Sequence, residues 1–297
     1  MGSLDGQAAM IALRCAIFVA GVSGNGLIIF LILRVKKLRT ERFNWLIVLL
    51  AFGDILLGMG IAVDYLTTLL TGGVQWRFSC LGVGSVALYG DHVAQLGMLL
   101  IAFDRMTVIK KVHIVKTDKN VYATIIPLVL LLSLVPIAFQ FWNSNDPIVI
   151  CQLSLVWTKQ FALYMTIASS FFNISILVSY LVIVFYYRRL VRQTSHSSVQ
   201  ANKKHFMKVV LGIVVVYFLM WCVPKWNLVA MRLSGVSPRT LALCGMAVDM
   251  CEVLSTCLNV VVYGYTHRDL REAGKSFLKY VRSQNTSTTS VITSQRV

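Results

Sequence analysis

Seven long apolar stretches, at about residues 10–34, 43–70, 79–109, 121–141, 160–187, 205–231 and 240–264, constrain this chain more than anything else in it. A helix needs about 20 consecutive apolar residues to cross a hydrocarbon core, and every stretch reaches that length. Lipid hydrates no backbone group, so only helices and closed barrels span it. Barrel strands are short and alternate apolar with polar residues, which these stretches do not. The expected fold is therefore an all-α membrane protein, a seven-transmembrane helix bundle. Only 13% of the 297 residues are charged, against about 25% in a soluble domain, and the spans leave no length for a separate soluble domain.

The net charge of +16 raises nucleic acid as a partner, but that reading needs basic residues on one exposed face. Here they cluster between apolar runs, so nucleic acid is set aside. The first, third and fifth connections hold sixteen Lys and Arg residues; the second, fourth and sixth hold four, Arg77, Lys159, Arg232 and Arg239. By the positive-inside rule the N-terminus is expected outside and the C-terminus in the cytoplasm of a plasma-membrane protein. No cleavable leader pattern opens the chain, so the first span is expected to serve as an uncleaved signal anchor. Beyond the bundle (1–264), residues 265–282 carry Leu270, Ala273, Gly274, Phe277, Leu278 and Val281 at helical spacing among basic residues. That pattern predicts a short amphipathic helix on the inner leaflet, in contact with membrane lipids. The Ser/Thr-rich segment 283–297 has no apolar periodicity and is expected to be a disordered cytoplasmic tail.

Ionisable or amide side chains inside a membrane are costly and mark function or packing. Gly24-Asn25 in the first span, Leu50-Ala51-Phe52-Gly53-Asp54 in the second, Asp104-Arg105-Met106 in the third and Asn259-Val260-Val261-Val262-Tyr263 in the seventh form one set. Together they resemble the signatures of rhodopsin-like (class A) G-protein-coupled receptors, over nearly the whole chain. Cys80 precedes Arg105 by 25 residues, the separation found in that family. The short N-terminus, the compact loops and Val260 in place of the usual proline look most like the nematode serpentine chemoreceptors of class Srsx.

That resemblance implies roles for particular residues. Asp104 and Arg105 would couple to a heterotrimeric G protein. Asn259, Tyr263 and, by position alone, Tyr180 would belong to the activation switch, with Pro224 as the hinge of the sixth helix. Asp54, with Asn25, Ser255, Thr256 and Asn259 as candidate partners, would hold a sodium ion or a proton; a simple interhelical packing bond is the alternative. Ala94 stands where the family has a serine oxygen, which weakens the case for sodium. No other cofactor is implied. Cys80 and Cys151 would form the family's disulfide, and Ser and Thr of the tail would recruit arrestin once phosphorylated. Where the family carries an acidic partner for the arginine, this chain has Lys203-Lys204-His205, so a raised basal activity is expected.

Two departures concern the ligand end. The sixth span reads Met220-Trp221-Cys222-Val223-Pro224, its tryptophan displaced by one residue, about 100° around a helix. Either Trp221 or Trp226 would then line the pocket, or face lipid. Amine receptors of the family carry an aspartate at the position of Ala87; here Asp91, four residues on, is the nearest acid. Asp91, Lys225, Asp249 and Glu252 form the candidate pocket for an extracellular ligand, with an acidic excess, unless Lys225 only neutralises its neighbours. An enzyme is not expected: no His-Glu-x-x-His or similar metal-binding spacing occurs, the five histidines are scattered, and no lysine lies between Thr240 and Gly264 to hold retinal. The rival class is a transporter or channel, whose ion path midplane charges would equally mark.

Overall fold

The computed structural model describes residues 4–71, 75–110, 119–142, 144, 146–148, 156–192 and 212–279. Cys151, the Lys203-Lys204-His205 cluster and the tail from residue 280 lie outside them.

Helix α1 (Leu4–Arg34) leads through a one-turn helix α2 (Lys36–Thr40) into α3 (Arg42–Thr71). Strand β1 (Gln75–Trp76) precedes α4 (Arg77–Lys110), followed by α5 (Lys119–Leu132) and α6 (Val135–Gln140). Strand β2 (Pro147–Ile148) pairs antiparallel with β1, Gln75 opposite Ile148, ahead of α7 (Lys159–Arg192). Helix α8 spans 212–233, α9 is Pro238–Thr266, and α10 covers 268–279. Among the described residues, seven helical stretches are long and apolar enough to cross a membrane: Ala12–Arg34, Arg42–Thr67, Arg77–Thr107, Tyr122–Gln140, Lys159–Arg189, Gly212–Leu233 and Arg239–Thr266. The fourth is split, because Pro136 cannot donate a backbone hydrogen bond and its ring crowds the preceding turn. The β1–β2 pair, which joins the connection before α4 to the one after α6, and helix α2 sit in connections that carried no signal at the level of sequence.

Helix α7 states the solvent of this protein most clearly. Its exposed stripe, Leu163, Ile167, Phe171, Ile174, Val178, Leu181 and Phe185, is wholly apolar, while its buried stripe includes Asn173, Tyr180 and Tyr187. Water would select the reverse. The bundle is thus lipid-facing outside and polar within, a multi-pass membrane protein.

Between helices no hydrophobic drive exists in lipid, so close backbone approach supplies the attraction. A Cβ on Gly60 would lie 2.1 Å from the backbone nitrogen of Ala87, and one on Gly90 only 2.2 Å from that of Leu57. Helices α3 and α4 therefore meet backbone to backbone, fixing the level of Asp54 on one and Asp91 on the other.

Helix α10 packs its apolar face against the bundle as well as toward lipid. Leu270 is buried, Phe277 meets Phe30 edge-on at 5.4 Å, and Leu278 stays exposed. A Lys37–Asp269 ion pair of 2.9 Å ties it to α2.

Candidate functional site

One face of α9 organises the interior. Asp249, Glu252, Ser255, Asn259 and Tyr263 follow each other at steps of three or four residues, so they stack along a single helical stripe from one end of the bundle to the other.

At the end near the β1–β2 pair, Lys225 of α8 reaches across the bundle. Its Nζ lies 2.8 Å from Asp91 Oδ1 on α4 and 3.1 Å from Glu252 Oε1 on α9. Gln95 donates to both Asp91 oxygens at 3.0 Å. All four groups are largely buried, which in so apolar a setting is sustained by mutual neutralisation and charge-assisted hydrogen bonds. Lys225, Asp91 and Glu252 border a cavity of about 100 Å³ whose lining also includes Leu57, Trp226, Val248 and Asp249. His92, beside Asp91, bonds its own turn through Leu88 at 2.9 Å.

Below Lys225, 4.4 Å from the ammonium, lies the Trp221 ring. It is 3% exposed, stacks on Tyr217 at 5.9 Å, and donates its indole N–H to Ser255 Oγ. The displacement of this tryptophan in sequence is absorbed by the backbone: Phe218–Cys222 form a π turn directly before Pro224. A π turn accommodates one extra residue, and Pro224 in any case has no N–H to return to Met220. Trp221 therefore faces the interior rather than lipid. Trp226 lines the cavity, its ring edge-on to Phe218 at 6.3 Å.

Midway, Asn259 donates to Asp54 Oδ2 at 2.9 Å, and Asp54 Oδ1 has no hydrogen-bond partner among the described residues. The other expected partners are committed elsewhere. Asn25 donates to the carbonyls of Gly21 and Thr256 at 2.9 and 3.2 Å, Thr256 bonds the Val253 carbonyl, and Ser255 accepts from Trp221. Hard cations require several oxygen ligands. Asp54 offers one free oxygen, and Ala94 across the helix contact adds none, so these residues do not fit a sodium ion.

At the opposite end, Arg105 has both a carboxylate and an aromatic ring beside it. Its Nε is 4.0 Å from Asp104 Oδ2, at the outer limit of an ion pair, while Tyr122 donates to Asp104 Oδ1 at 2.8 Å. The Arg105 guanidinium instead lies 3.3 Å from the centre of the Phe43 ring, and Phe43 stacks at 3° on His267, which caps α10 by accepting from Leu270 N–H at 3.3 Å. Tyr180 and Tyr263 are within electrostatic reach of Arg105. Both are buried, and neither hydroxyl has a partner among the described residues.

A model of the family described as serpentine type 7TM GPCR chemoreceptor Srsx matches residues 18–278. The chain belongs to this family. It is also 26% identical to the C-C chemokine receptor type 8 of Mus musculus, over 85% of this chain and 74% of that protein. The protein is thus a G-protein-coupled receptor of a chemosensory, generally non-enzymatic family, and the transporter alternative is not favoured.

Tyr122, Phe43, Gln95 and His267 contact these candidate residues, and the reading of the sequence singled out none of the four. Gln95 alone offered a signal, lying one helical turn beyond Asp91. Phe43 opens an apolar run, and only the placement of α3 beside α4 brings its ring to Arg105. Cys80 is fully buried beside Leu81 and Val156 at the start of α4; its expected partner lies outside the described residues.

Proposed function

We propose that the receptor lies in the plasma membrane with its N-terminus outside, binds an extracellular ligand in the cavity beside Lys225, and opens the Arg105 end to a heterotrimeric G protein. The observation that carries this reading is the continuous α9 stripe. Glu252 joins the ligand end through Lys225, Ser255 holds Trp221, Asn259 holds Asp54, and Tyr263 reaches the neighbourhood of Arg105. A ligand that changes the Lys225 contacts alters the packing of α8 on α9, and differential affinity for two such packings is what shifts a population.

Tyr180 and Tyr263 supply the second state. A buried hydroxyl without a partner costs about 1–3 kcal/mol, so a rearrangement that pairs the two, or brings them to a released Arg105, recovers that energy. Pro224 and the π turn before it give α8 a place to bend. Asp54, lacking ligands for sodium, takes a proton in this scheme. A Cys80–Cys151 disulfide would tether the outer loop over the cavity; the other five cysteines, Cys15, Cys222, Cys244, Cys251 and Cys257, are free thiols. Phosphorylation of the Ser/Thr tail would add charge for an arrestin.

The test is G-protein activation in membranes from cells expressing the wild type or Arg105→Ala at equal surface density. Signalling lost in the variant with ligand binding intact supports the reading. Signalling independent of Arg105 overturns it.

A further inference from the structure

The cavity beside Lys225 has a charge imbalance that its own side chains do not resolve. Asp91, Asp249 and Glu252 face it from α4 and α9, against Lys225 and Arg232 from α8, leaving one negative charge in excess. Lys225 is already bonded to both Asp91 and Glu252. Asp249 has neither a hydrogen bond nor an ion pair at 4.0 Å or less among the described residues. The remaining charges in its field are Asp64 and Arg14, and the Arg14 guanidinium is seated over the Tyr65 ring at 4.4 Å.

We propose that this cavity takes a small organic cation, its ammonium seated against Asp249 on α9 and its body between the Trp226 side and the apolar wall of Leu57, Ile61 and Val248. The inference rests on reading the cavity as the ligand site. A carboxylate facing an apolar-walled space, with the nearest lysine spent on two other acids, is stabilised by a cation that brings its own charge. An anionic ligand would meet three carboxylates, with the Lys225 ammonium already shared by two of them and the Arg232 guanidinium lying over the Trp157 ring at 5.9 Å. A neutral one would leave Asp249 without a counter-charge. The cavity also sets a size: about 100 Å³ holds roughly seven to ten waters, so the ligand has about ten non-hydrogen atoms. The anchoring anion comes from α9; the α4 position one turn from Asp91 is Ala87, which lines the same cavity with only a methyl group.

The experiment uses cells expressing the full receptor and a panel of protonated amines of about ten non-hydrogen atoms. Each is paired with its neutral alcohol and its carboxylate, and G-protein activation is read. Amine activation with silent isosteres is expected. Asp249→Asn, at unchanged surface density, should raise the half-maximal concentration about tenfold to a hundredfold, the range for losing one charged hydrogen bond, while Asp249→Glu retains the response. Activation by neutral or anionic members alone, or an amine response indifferent to Asp249→Asn, overturns the inference. If no amine acts while ligand-independent, Arg105-dependent signalling is present, the ligand class is wrong and the receptor reading stands. If no signal of any kind depends on Arg105, both readings fall.

Discussion

Replacing Phe43 by leucine tests what holds Arg105 at rest. The guanidinium sits 3.3 Å from the Phe43 ring centre, whereas its approach to Asp104 is 4.0 Å and one oxygen of that acid is occupied by Tyr122. A cation over an aromatic face contributes about 0.5–1 kcal/mol when exposed and about 2 kcal/mol when desolvated. Arg105, with 29% of its side chain exposed, falls between, at about 1–2 kcal/mol. If the ring favours the docked arginine by that amount, Phe43→Leu shifts the equilibrium toward the released form by about fivefold to thirtyfold. Ligand-independent nucleotide exchange on the G protein, normalised to surface receptor, should rise accordingly while the active fraction is small. Phe43→Trp, which keeps a π face, should stay near wild type, and Phe43→Leu should add nothing in an Arg105→Ala background. Equal basal activity for the leucine and tryptophan variants would refute the assignment of Phe43 as the resting partner.

Two further outcomes follow from packing and titration. Gly90→Ala should lower the melting temperature of the detergent-solubilised receptor, because its Cβ meets the Leu57 backbone at 2.2 Å and overpacking costs about 1–3 kcal/mol; Gly82→Ala, whose Cβ meets nothing within 4 Å, should not, and equal melting of the two would disprove the close approach. Burial, foremost, holds His267 below the ordinary imidazole range, with Arg105 acting in the same direction and Glu41 against it, so the neutral ring's contribution to docking α10 is complete above about pH 6.5 and is lost as pH falls through the lowered value. Protection against hydrogen exchange across 268–279, normalised to the intrinsic rate at each pH, should therefore fall toward about pH 5 in the wild type and much less in His267→Gln; identical acid responses would assign the effect to the Lys37–Asp269 pair instead.

What could be read from the chain alone divides along the range of the forces involved. Span number and helical character depend on apolar run length, a local property that lipid enforces without regard to neighbours. The residues of the α9 stripe were legible for a similar reason: polar groups at helical spacing in an apolar run are costly, and their one-dimensional periodicity already places them on one face. The partners of Asp54 were less so, since Asn25, Ser255, Thr256 and Asn259 were equivalent candidates until the rotation of α1 and α8 left Asn259 alone bonded to it.

Trp221 illustrates the limit most clearly. Counting at 100° per residue turned it away from its expected place, and only the π turn at Phe218–Cys222 directs it to Ser255, because the helix changes its own period where Pro224 leaves a carbonyl without its donor. Sequence determined a seven-helix, lipid-facing receptor with an arginine at one end and a charged cluster at the other. Tertiary structure decided which acids Lys225 bridges, which oxygen of Asp54 is left over, and that an aromatic ring lies closer to Arg105 than the neighbouring carboxylate does. Those choices turn on ångström-scale differences in helix separation and rotation, such as the glycine-to-backbone contact of α3 with α4, and no single helix encodes its distance from another.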